Sequence, residues 1–368
     1  MVFVDFCKAF DSINHATMFK ILEAYGVPPR ILDTIKLSYQ NLKARIKSPD
    51  GDTDYFKIHA GVMQGDTLAP FLFITVLDFA LRNAIDGKEA EFGFTISKRR
   101  SSRYPAKMVC DFDFADDIVL ISDEIEQARK MILSIQEECR KVGLEINSKK
   151  TKAMFYNTPT QRINTLEGTE IKQALTESGA QDFKYLGCWC EQDRDIATRK
   201  ALAWQSLNKL TKIWKSNLDV KIKINLFRAT TETILLYGSP TWTLTKKQEN
   251  MLNGTYTRML RVVHNVSWRD RISNASLYGE LEKISKVIRK RRLTLAGHIF
   301  RDKSSPAHSL ILWDPQHGTS SRGRPNTTYM DTLVRDTNMD AEQLEILMGL
   351  KEDWRHHVSR CCVSNELK

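Results

Sequence analysis

Three aspartates stand where predicted strands end, and together they could bind a divalent cation. Asp5 closes the apolar run from Val2 to Val4, and Asp116 and Asp117 occupy the tip of a predicted hairpin in the sequence DFDFADDIVLIS. Ionised carboxylates among strand-forming apolar residues are unstable unless a partner compensates them. Three of them within about 4–5 Å would repel one another by roughly 3–4 kcal/mol per pair. A cation relieves that repulsion, and hard oxygen ligands favour Mg²⁺ or Mn²⁺.

The chemistry expected of such a site is phosphoryl transfer. Two ions about 3.5–4 Å apart would hold an in-line displacement, because one activates the attacking hydroxyl and the other stabilises the leaving pyrophosphate. Taken alone, Ala115 to Asp117 are explained more simply as the polar turn of a hairpin. Other segments of the chain therefore have to decide between the two interpretations.

Three further segments have features of a nucleotide site. Gln64 and Gly65 fall in a turn directly before a predicted helix. A backbone without a Cβ can approach a nucleotide there, and a helix N-terminus favours phosphate. The segment GLEINSKKTK (143–152) places lysines beside a short strand, and FKYLG (183–187) is an aromatic strand that ends in glycine. Each segment is weak alone, because lysine runs are usually solvated and aromatic strands are usually core.

The elements that would position these residues are strands and helices in alternation. The pattern predicts helices over 14–25, 28–40, 67–85 and 124–142, a hairpin over 43–60, and strands at 2–4, 107–112, 118–122, 144–147, 152–156, 171–175 and 183–188. Long amphipathic helices follow at 194–215, 219–236, 246–263 and 279–300, and a Gly/Ser/Arg-rich connection (316–326) leads to terminal helices. The chain is therefore predicted to be mixed α/β up to about residue 192 and nearly all helical afterwards.

The composition is that of a basic globular protein. Its 368 residues are 42% hydrophobic and 27% charged, with a net charge of +10, and the pI is about 9.1. Such a balance is compatible with a nucleic-acid partner but does not establish one. The seven cysteines follow no disulfide spacing, and reduced thiols fit an intracellular protein. With no signal sequence and no bilayer-length apolar stretch, the protein is predicted to be nuclear or cytoplasmic, neither secreted nor membrane-spanning.

Five segments, taken in order, resemble reverse-transcriptase motifs A to E. They are VDFCKAFD (4–11), GVMQGDTLAPFLF (61–73), FADD (114–117), GLEINSKKT (143–151) and FKYLG (183–187). The FADD form, the GDTLAPFLF wording and tail segments such as RRLTLAGHIFR resemble non-LTR (LINE-type) retrotransposons in particular. The resemblance implies an α+β fold: a palm with a small antiparallel sheet and helices (1–192), a helical thumb and extension (193–300), and a C-terminal helical tail (301–368).

The resemblance also implies which residues bind the metal ions. Asp5, Asp116 and Asp117 would hold two Mg²⁺ ions, with Mn²⁺ as an alternative. The backbone carbonyl of Phe6 would be a further ligand. By this resemblance, Asp5 and Asp116 are firmer ligands than Asp117.

The incoming nucleotide and the primer would be held by the other motifs. Phe10 matches the family's steric gate, which selects deoxynucleotides, and Gln64 and Gly65 would contact the nucleotide and the template. Lys150, or its neighbour Lys149, would protonate the leaving pyrophosphate. The predicted primer grip consists of Phe183, Tyr185, Leu186 and Gly187.

Basic residues of the helical half are the predicted nucleic-acid contacts. They are Lys209, Lys212 and Lys215, which are three apart on one predicted helix face, and the denser clusters Arg289, Arg291, Arg292, Arg322 and Arg324. A solvated charged face is the open alternative for each cluster. The tryptophans of this half are expected to be core residues rather than platforms for stacked bases; they are Trp204, Trp214, Trp242 and Trp268.

The function that the resemblance implies is RNA-directed DNA polymerisation with an RNA template, a DNA primer and dNTPs. The family has fingers, and usually an endonuclease, upstream of the palm, and only four residues precede Asp5. We therefore expect that this chain alone cannot perform target-primed insertion. The alternative function is that of a catalytically silent, truncated remnant that binds nucleic acid through its basic helical half.

Overall fold

The computed structural model describes residues 1–49, 51–101, 103, 105–156, 162–177, 179–313 and 328–361. The chain divides into two compact units, Met1–Leu186 and Gly187–Lys368, each defined by its own internal contacts. None of the helices in the described ranges is both long and apolar enough to cross a bilayer.

The first unit is a mixture of short strands and longer helices. Its strands are β1 (Val2–Val4), β2 (Lys43–Ala44), β3 (Phe56–Lys57), β4 (Phe94–Ser97), β5 (Lys107–Val109), β6 (Asp111–Phe114), β7 (Asp117–Leu120), β8 (Lys152–Ala153), β9 (Lys172–Gln173) and β10 (Lys184–Tyr185). Its helices are α1 (Ala9–Ser12), α2 (His15–Ala24), α3 (Pro29–Tyr39), α4 (Ala69–Ile85), α5 (Glu89–Phe92) and α6 (Ile125–Lys141). The α+β class predicted from the sequence is confirmed.

A five-stranded sheet lies at the centre of this unit, in the order β6-β7-β1-β8-β9. All neighbouring pairs are antiparallel except β8 and β9, which are parallel. Strand β1 takes the middle position because each of its residues is apolar, and Val2, Phe3 and Val4 are at most 4% exposed. Val2 and Val4 pack with residues of α2, α3, α4 and α6 on one face. Phe3 belongs to a smaller apolar cluster on the other face.

Capping residues set the ends of the helices in this unit. The Asn14 side chain accepts a hydrogen bond from the backbone N–H of Thr17 at the start of α2. A reciprocal capping box joins Glu124 and Gln127 at the start of α6, and Pro29 is the first residue of α3. Side-chain caps of this kind satisfy backbone N–H groups that have no partner within the helix. All four helices predicted before residue 143 are confirmed, with ends that differ by at most two residues.

The strands are shorter than the sequence pattern predicted. The hairpin over 43–60 has two paired positions, between β2 and β3. The strand predicted over 107–112 is two strands, because β5 pairs with the preceding strand β4 and only β6 pairs with β7. The strand predicted at 144–147 contributes a single bridge, from Ile146 to Phe6. It stops there because the chain turns at Asn147, whose carbonyl accepts from the backbone N–H groups of Lys150 and Thr151.

The described part of the second unit is helical apart from strand β11 (Cys188–Trp189). The helices are α7 (Gln192–Lys209), α8 (Thr211–Trp214), α9 (Val220–Phe227), α10 (Thr233–Leu235), α11 (Lys246–Val263), α12 (Asn274–Tyr278), α13 (Ile284–Arg301), α14 (Pro306–Leu310), α15 (Tyr329–Thr337), α16 (Ala341–Gly349) and α17 (Lys351–Cys361). A π-helical segment (Arg228–Glu232) joins α9 to α10, and 3₁₀ turns lie at Ser239–Thr241 and Trp268–Asp270.

Two apolar clusters form the core of this unit. One contains residues from Ile196 to Ile288, and the other contains residues from Leu293 to Val358. Trp214 and Trp242 are buried in the first cluster and Trp204 packs against it, as expected; the side chain of Trp268 lies outside the described set. The helix predicted over 194–215 is interrupted at Leu210. The Trp214 indole turns inward and donates to the carbonyl of Leu207, which a continuous helix would offer to residue 211.

Candidate active site

The pairing of β1 with β7 brings Asp5 beside the aspartates of the hairpin. Val4 lies opposite Ile118 and Phe3 opposite Val119, so the next step along this register sets Asp5 opposite Asp117. Facing residues of an antiparallel pair are about 4.5–5.5 Å apart at Cα and point to the same side of the sheet. The two carboxylates therefore share the face on which Phe3 packs.

The β6–β7 hairpin presents Asp116 at its tip. Phe114 pairs with Asp117, which leaves a two-residue connection of Ala115 and Asp116. Ala115 has φ +56°, a left-handed conformation that residues with a Cβ adopt at an energetic cost. The turn is tight for that reason, and Asp116 and Asp117 both remain exposed.

Electrostatic interactions link all three carboxylates. Burial raises the pKa of Asp117, and repulsion by Asp116 and Asp5 raises it further. The Lys150 Nζ lies 3.7 Å from the Asp5 Oδ1, so a cation from the turn that follows Asn147 faces this carboxylate. The Asp5 backbone N–H donates to the Thr151 hydroxyl at 3.2 Å, which fixes the strand end that carries the carboxylate.

These residues fit a divalent cation in their chemistry. Within the described ranges, no three His, Cys, Asp or Glu side chains are already grouped as a metal site. The Asp5 Oδ1 is nevertheless buried without a hydrogen-bond donor, and an oxygen in that state is stabilised when it coordinates a cation. Mg²⁺ prefers oxygen ligands such as carboxylates, and these three aspartates supply them.

The segment that contains Gln64 and Gly65 packs against the residues that follow Asp5. The Gln64 Nε2 donates to the Asp11 Oδ1 at 3.1 Å. Gly61 has φ +91°, and a Cβ at this position would lie 2.6 Å from the Asp11 Cα. Gly65 has φ +95° and open space where a Cβ would be, so its backbone is accessible to a ligand. The sequence-based prediction included Gly65 but missed Gly61, whose only signal was its place three residues before Gln64.

Phe10 stands against the long helix of this unit. Its ring stacks on Phe73 of α4, with centroids 4.4 Å apart and an angle of 13° between the planes. Phe73 is fully buried, while Phe10 is half-buried. The Phe10 backbone carbonyl accepts from the Val62 N–H. Phe73 covers one face of the Phe10 ring, and the hydrogen bond to Val62 fixes the Phe10 backbone. The stacking contact leaves the opposite face of the ring uncovered.

The aromatic strand β10 lies on the same sheet face as the carboxylates. Phe183 stacks on Phe3 at 4.0 Å, and the Tyr185 hydroxyl lies 3.2 Å from the backbone oxygens of Phe112 and Asp117. Burial raises the pKa of Tyr185 to about 12, with Asp113 and Asp117 adding to the effect, so the hydroxyl remains a donor. Tyr185 therefore ties β10 to both strands of the hairpin that carries the carboxylates. Leu186 (φ +47°) and Gly187 (φ +80°) continue the chain in left-handed conformations.

A second pair of carboxyl groups, which the sequence-based prediction missed, lies on β6. Asp111 and Asp113 face the helix-covered side of the sheet, because their partners are Leu120 and Ile118. Desolvation of the carboxyl group by the surrounding protein raises the pKa of Asp113, and repulsion by Asp111 adds to this effect, so that the pKa is about 8. The signal was present in DFDFADD, since residues two apart on a strand point to the same side.

The predicted basic contacts divide into exposed and buried residues. Lys209, Lys212 and Lys215 are exposed. Because the helix breaks at Leu210, Lys209 is the last residue of α7, Lys212 lies in α8 and Lys215 directly follows α8, so the three do not share the face of one continuous helix. Arg291 is exposed. Arg322 and Arg324 lie outside the described residues.

The prediction for Arg292 is wrong. Its side chain is 2% exposed and is hydrogen-bonded to Asp336 of α15. Arg289 is mostly buried and lies 3.4 Å from the same carboxylate. A buried arginine without its carboxylate would be strongly destabilising. The two residues therefore join α13 to α15 and are not a surface for nucleic acid.

Comparison with known proteins decides the family. A model described as "Reverse transcriptase (RNA-dependent DNA polymerase)" matches residues 1–190, which is more than half of the chain. This chain belongs to the reverse transcriptase family. The match includes β1, the β6–β7 hairpin and β10, the elements that carry the three aspartates and Tyr185.

Individual relatives identify the branch of that family. The chain is 28% identical over 189 residues to the Pol polyprotein of the type-2 retrotransposable element R2DM of Drosophila melanogaster, with coverage of 50% of this chain and 17% of that protein. It is 22% identical over 304 residues to the RNA-directed DNA polymerase of the mobile element jockey of Drosophila funebris, with coverage of 78% and 31%. The predicted resemblance to non-LTR retrotransposon reverse transcriptases is confirmed.

A third relative is matched over most of its own length. It is a transposon-derived protein of Caenorhabditis elegans, 27% identical over 257 residues, with coverage of 65% of this chain and 90% of that protein. The chain spans less than a third of the R2DM and jockey proteins.

Proposed function

We propose that this reverse transcriptase is an RNA-directed DNA polymerase, which adds dNTPs to the 3′-hydroxyl of a DNA primer on an RNA template. The observation that carries the proposal is the β1–β7 register, which sets Asp5 opposite Asp117 and next to Asp116. Asp5 lies more than 100 residues before Asp116 and Asp117 in the sequence, and this strand pairing brings it beside them. Such convergence is typical of a catalytic site and is not needed for a hairpin turn.

The proposed metal ligands are the carboxylates of Asp5, Asp116 and Asp117 and the backbone carbonyl of Phe6. Mg²⁺ ions, or Mn²⁺, would supply Lewis-acid stabilisation of the attacking and leaving oxygens when bound. The unsatisfied Asp5 Oδ1 supports this assignment. Thr151 and the pairing with β7 hold the Asp5 carboxylate toward the site before any ligand arrives.

Lys150 is the proposed proton donor to the pyrophosphate. Its ammonium group is 3.7 Å from the Asp5 carboxylate, whereas Lys149 has no ion pair among the described residues. A group that protonates a leaving oxygen must lie within hydrogen-bond reach of it. The position of Lys150 beside the carboxylates favours it over Lys149.

The sugar and base of the incoming nucleotide would meet Phe10, Gln64 and Gly65. Phe73 stacks on one face of the Phe10 ring. This contact would prevent the Phe10 side chain from moving aside to make room for a 2′-hydroxyl. The open space at Gly65 leaves its backbone free to approach the nucleotide. Asp11 orients Gln64 through a hydrogen bond at 3.1 Å.

The remaining assignments concern the primer and the domains. Phe183, Tyr185, Leu186 and Gly187 would form the primer grip, and the tie from Tyr185 to the hairpin supports this role. We assign residues 1–192 to the palm, 193–300 to the thumb and its extension, and 301–368 to a helical tail. The two apolar clusters of the second unit support a division within it, but the change of cluster falls between Ile288 and Leu293, inside α13. An enzyme that uses RNA and dNTPs acts inside the cell, in the nucleus or cytoplasm.

Primer extension on an RNA template tests the proposal. We expect extension by the purified chain with Mg²⁺ and dNTPs, and a decrease of about 100-fold or more in Asp116→Asn, which removes a ligand charge without changing the size of the side chain. Asp33→Asn is the matched control, because Asp33 is an exposed aspartate of α3, and it should leave the rate unchanged.

Two results would overturn the polymerase assignment. One is equal extension by the chain and by Asp116→Asn. The other is no extension by a folded chain that still binds the template–primer, which would leave nucleic-acid binding alone as the function of the chain.

A further inference from the structure

A cleft in the helical unit contains none of the residues of the candidate active site. Its volume is about 670 Å³, within the range of about 300–1,000 Å³ that is typical of small-molecule sites. The π-helical segment, α11 and α13 supply its lining. A π-helical turn within an α-helix occurs frequently at functional sites, and this one places Arg228 and Glu232 at the cleft.

A buried carboxylate is among the groups that line this cleft. The Glu232 side chain is 9% exposed, and its Oε2 accepts from the Tyr256 hydroxyl at 2.6 Å. Burial, and then Glu232, raise the pKa of Tyr256, which keeps the phenol protonated as a donor. The Arg228 Nε is 3.9 Å from the Glu232 Oε1, beyond hydrogen-bond distance. The carboxylate therefore retains acceptor capacity, and Tyr256 fixes its orientation.

Charged side chains of both signs surround the cleft, with Glu280 and Glu282 on the segment before α13 and two cations on α13, and the walls between them are largely apolar. Lys290 and Arg291 line it from α13, both are exposed, and neither has an ion pair within the described ranges. Leu281, Val287 and Leu295 supply apolar walls. A flat apolar ring would be enclosed by such walls, and a phosphate attached to it would reach the cations at the rim.

We propose that this cleft binds one unpaired guanine nucleotide, with the base against Glu232 and the phosphate at Lys290 and Arg291. A carboxylate accepts two parallel N–H bonds from the edge of guanine that carries N1–H and the N2 amino group. Adenine, cytosine and uracil each present an acceptor beside their donor on that edge, which a carboxylate repels. The proposal does not depend on polymerisation, because the cleft contains none of the residues assigned to the active site.

Ligand-observed NMR with the four ribonucleoside 5′-monophosphates tests this inference on the full chain. Divalent cations are left out, so that nucleotide bound through metal at the three aspartates does not contribute. We expect saturable binding of GMP with an affinity at least tenfold above that for AMP, CMP and UMP. Equal affinity for all four, or no saturable binding of GMP, would overturn the proposal.

Three variants locate the binding. Glu232→Gln should reduce GMP affinity at least tenfold, because an amide places a donor against the guanine donors, while its oxygen can still accept from Tyr256. Thr294→Phe, at an exposed cleft position of α13 whose hydroxyl bonds only to its own helix, should block the cleft without a change in the core. Lys290→Gln should weaken binding of all four nucleotides.

Lys247→Gln is the charge-matched control, because Lys247 is an exposed lysine of α11 that does not line the cleft. It should bind GMP as the unchanged chain does. Circular dichroism and thermal unfolding establish that each variant is folded. Unchanged GMP affinity in a folded Thr294→Phe variant would show that the nucleotide binds elsewhere and would rule out the cleft.

Discussion

The fold favours the neutral form of Asp113, which lies on strand β6 of the first unit. The residue is exposed, but partial desolvation of its carboxyl group by neighbouring protein, and then the adjacent Asp111, raise its pKa from 3.8 to about 8. A carboxyl group whose folded pKa exceeds its unfolded pKa stabilises the protein at pH values below both, and this contribution is lost as the pH rises through the folded pKa. The first unit should therefore lose stability between pH 4 and pH 8 through this group.

Replacement of Asp113 by Asn should remove that dependence, because an amide imitates the protonated acid. We expect the variant to unfold at a temperature about 2–4 °C higher than the unchanged chain at pH 8, since the side chain still reaches solvent and the discounted effect is about 1 kcal/mol. The difference should shrink toward zero at about pH 4. Thermal unfolding across this range, with Asp33→Asn as control, measures it, and a constant difference at all pH values would contradict the assignment.

Single residues were predictable from the sequence where a chemical reason tied them to a motif. Asp5, Asp116 and Asp117 were grouped in the prediction because the segments around them resemble ordered motifs, and the register sets Asp5 opposite Asp117. Arg292 was misassigned because its partner Asp336 is 44 residues away. Neither spacing nor composition shows that a charge so distant in sequence will be buried against it.

Among the elements, the segment before α4 packs closely against the segment after β1. The Gly61 N–H donates to the Ile13 carbonyl, and its missing Cβ leaves room for the Asp11 backbone. Gly61→Ala should therefore reduce the free energy of unfolding by about 2–4 kcal/mol, because it adds overpacking to an unfavourable left-handed conformation.

Gly65→Ala is the matched control for that change. Gly65 has nearly the same φ but no neighbour within 4 Å of the added Cβ, so only the conformational cost of about 1–2 kcal/mol applies. Urea unfolding of both variants separates the two effects. Equal destabilisation of the two variants would show that the close approach of Gly61 to Asp11 adds nothing to the cost of the substitution.

Helices were easier to predict than strands for a physical reason. A helix such as α6 repeats its apolar positions over 17 residues and has a capping box at its start, so its signal is local. Strands β8 and β9 have two residues each, too few to show alternation. Their pairing depends on partners elsewhere in the chain, and a single sequence does not specify those partners.

For the whole molecule, the net charge of +10 predicts affinity for RNA that falls with salt. Replacing Lys209, Lys212 and Lys215 together by Gln should lower the slope of log affinity against log salt by about 2, because each lysine that neutralises a phosphate of single-stranded RNA adds about 0.7 to that slope. Filter binding or fluorescence anisotropy over a salt series measures the slope.

The control for this charge change is a triple replacement of exposed lysines in the first unit, Lys20, Lys36 and Lys47, by Gln. It alters the net charge equally. If both triple variants change the slope equally, general charge and not the α7–α8 lysines determines binding.

The ion pairs of Asp336 also limit how this protein can be dissected. Arg292 and Arg289 lie in α13, whereas the carboxylate that compensates them comes from α15. A shortened chain that ended at residue 313 would lose this carboxylate together with the distal helices whose apolar residues pack with Leu293 and Ala296 of α13, and it would expose that apolar surface. Recombinant fragments that stop there should aggregate or be degraded. The distal helices are thus part of the minimum folding unit of the helical half.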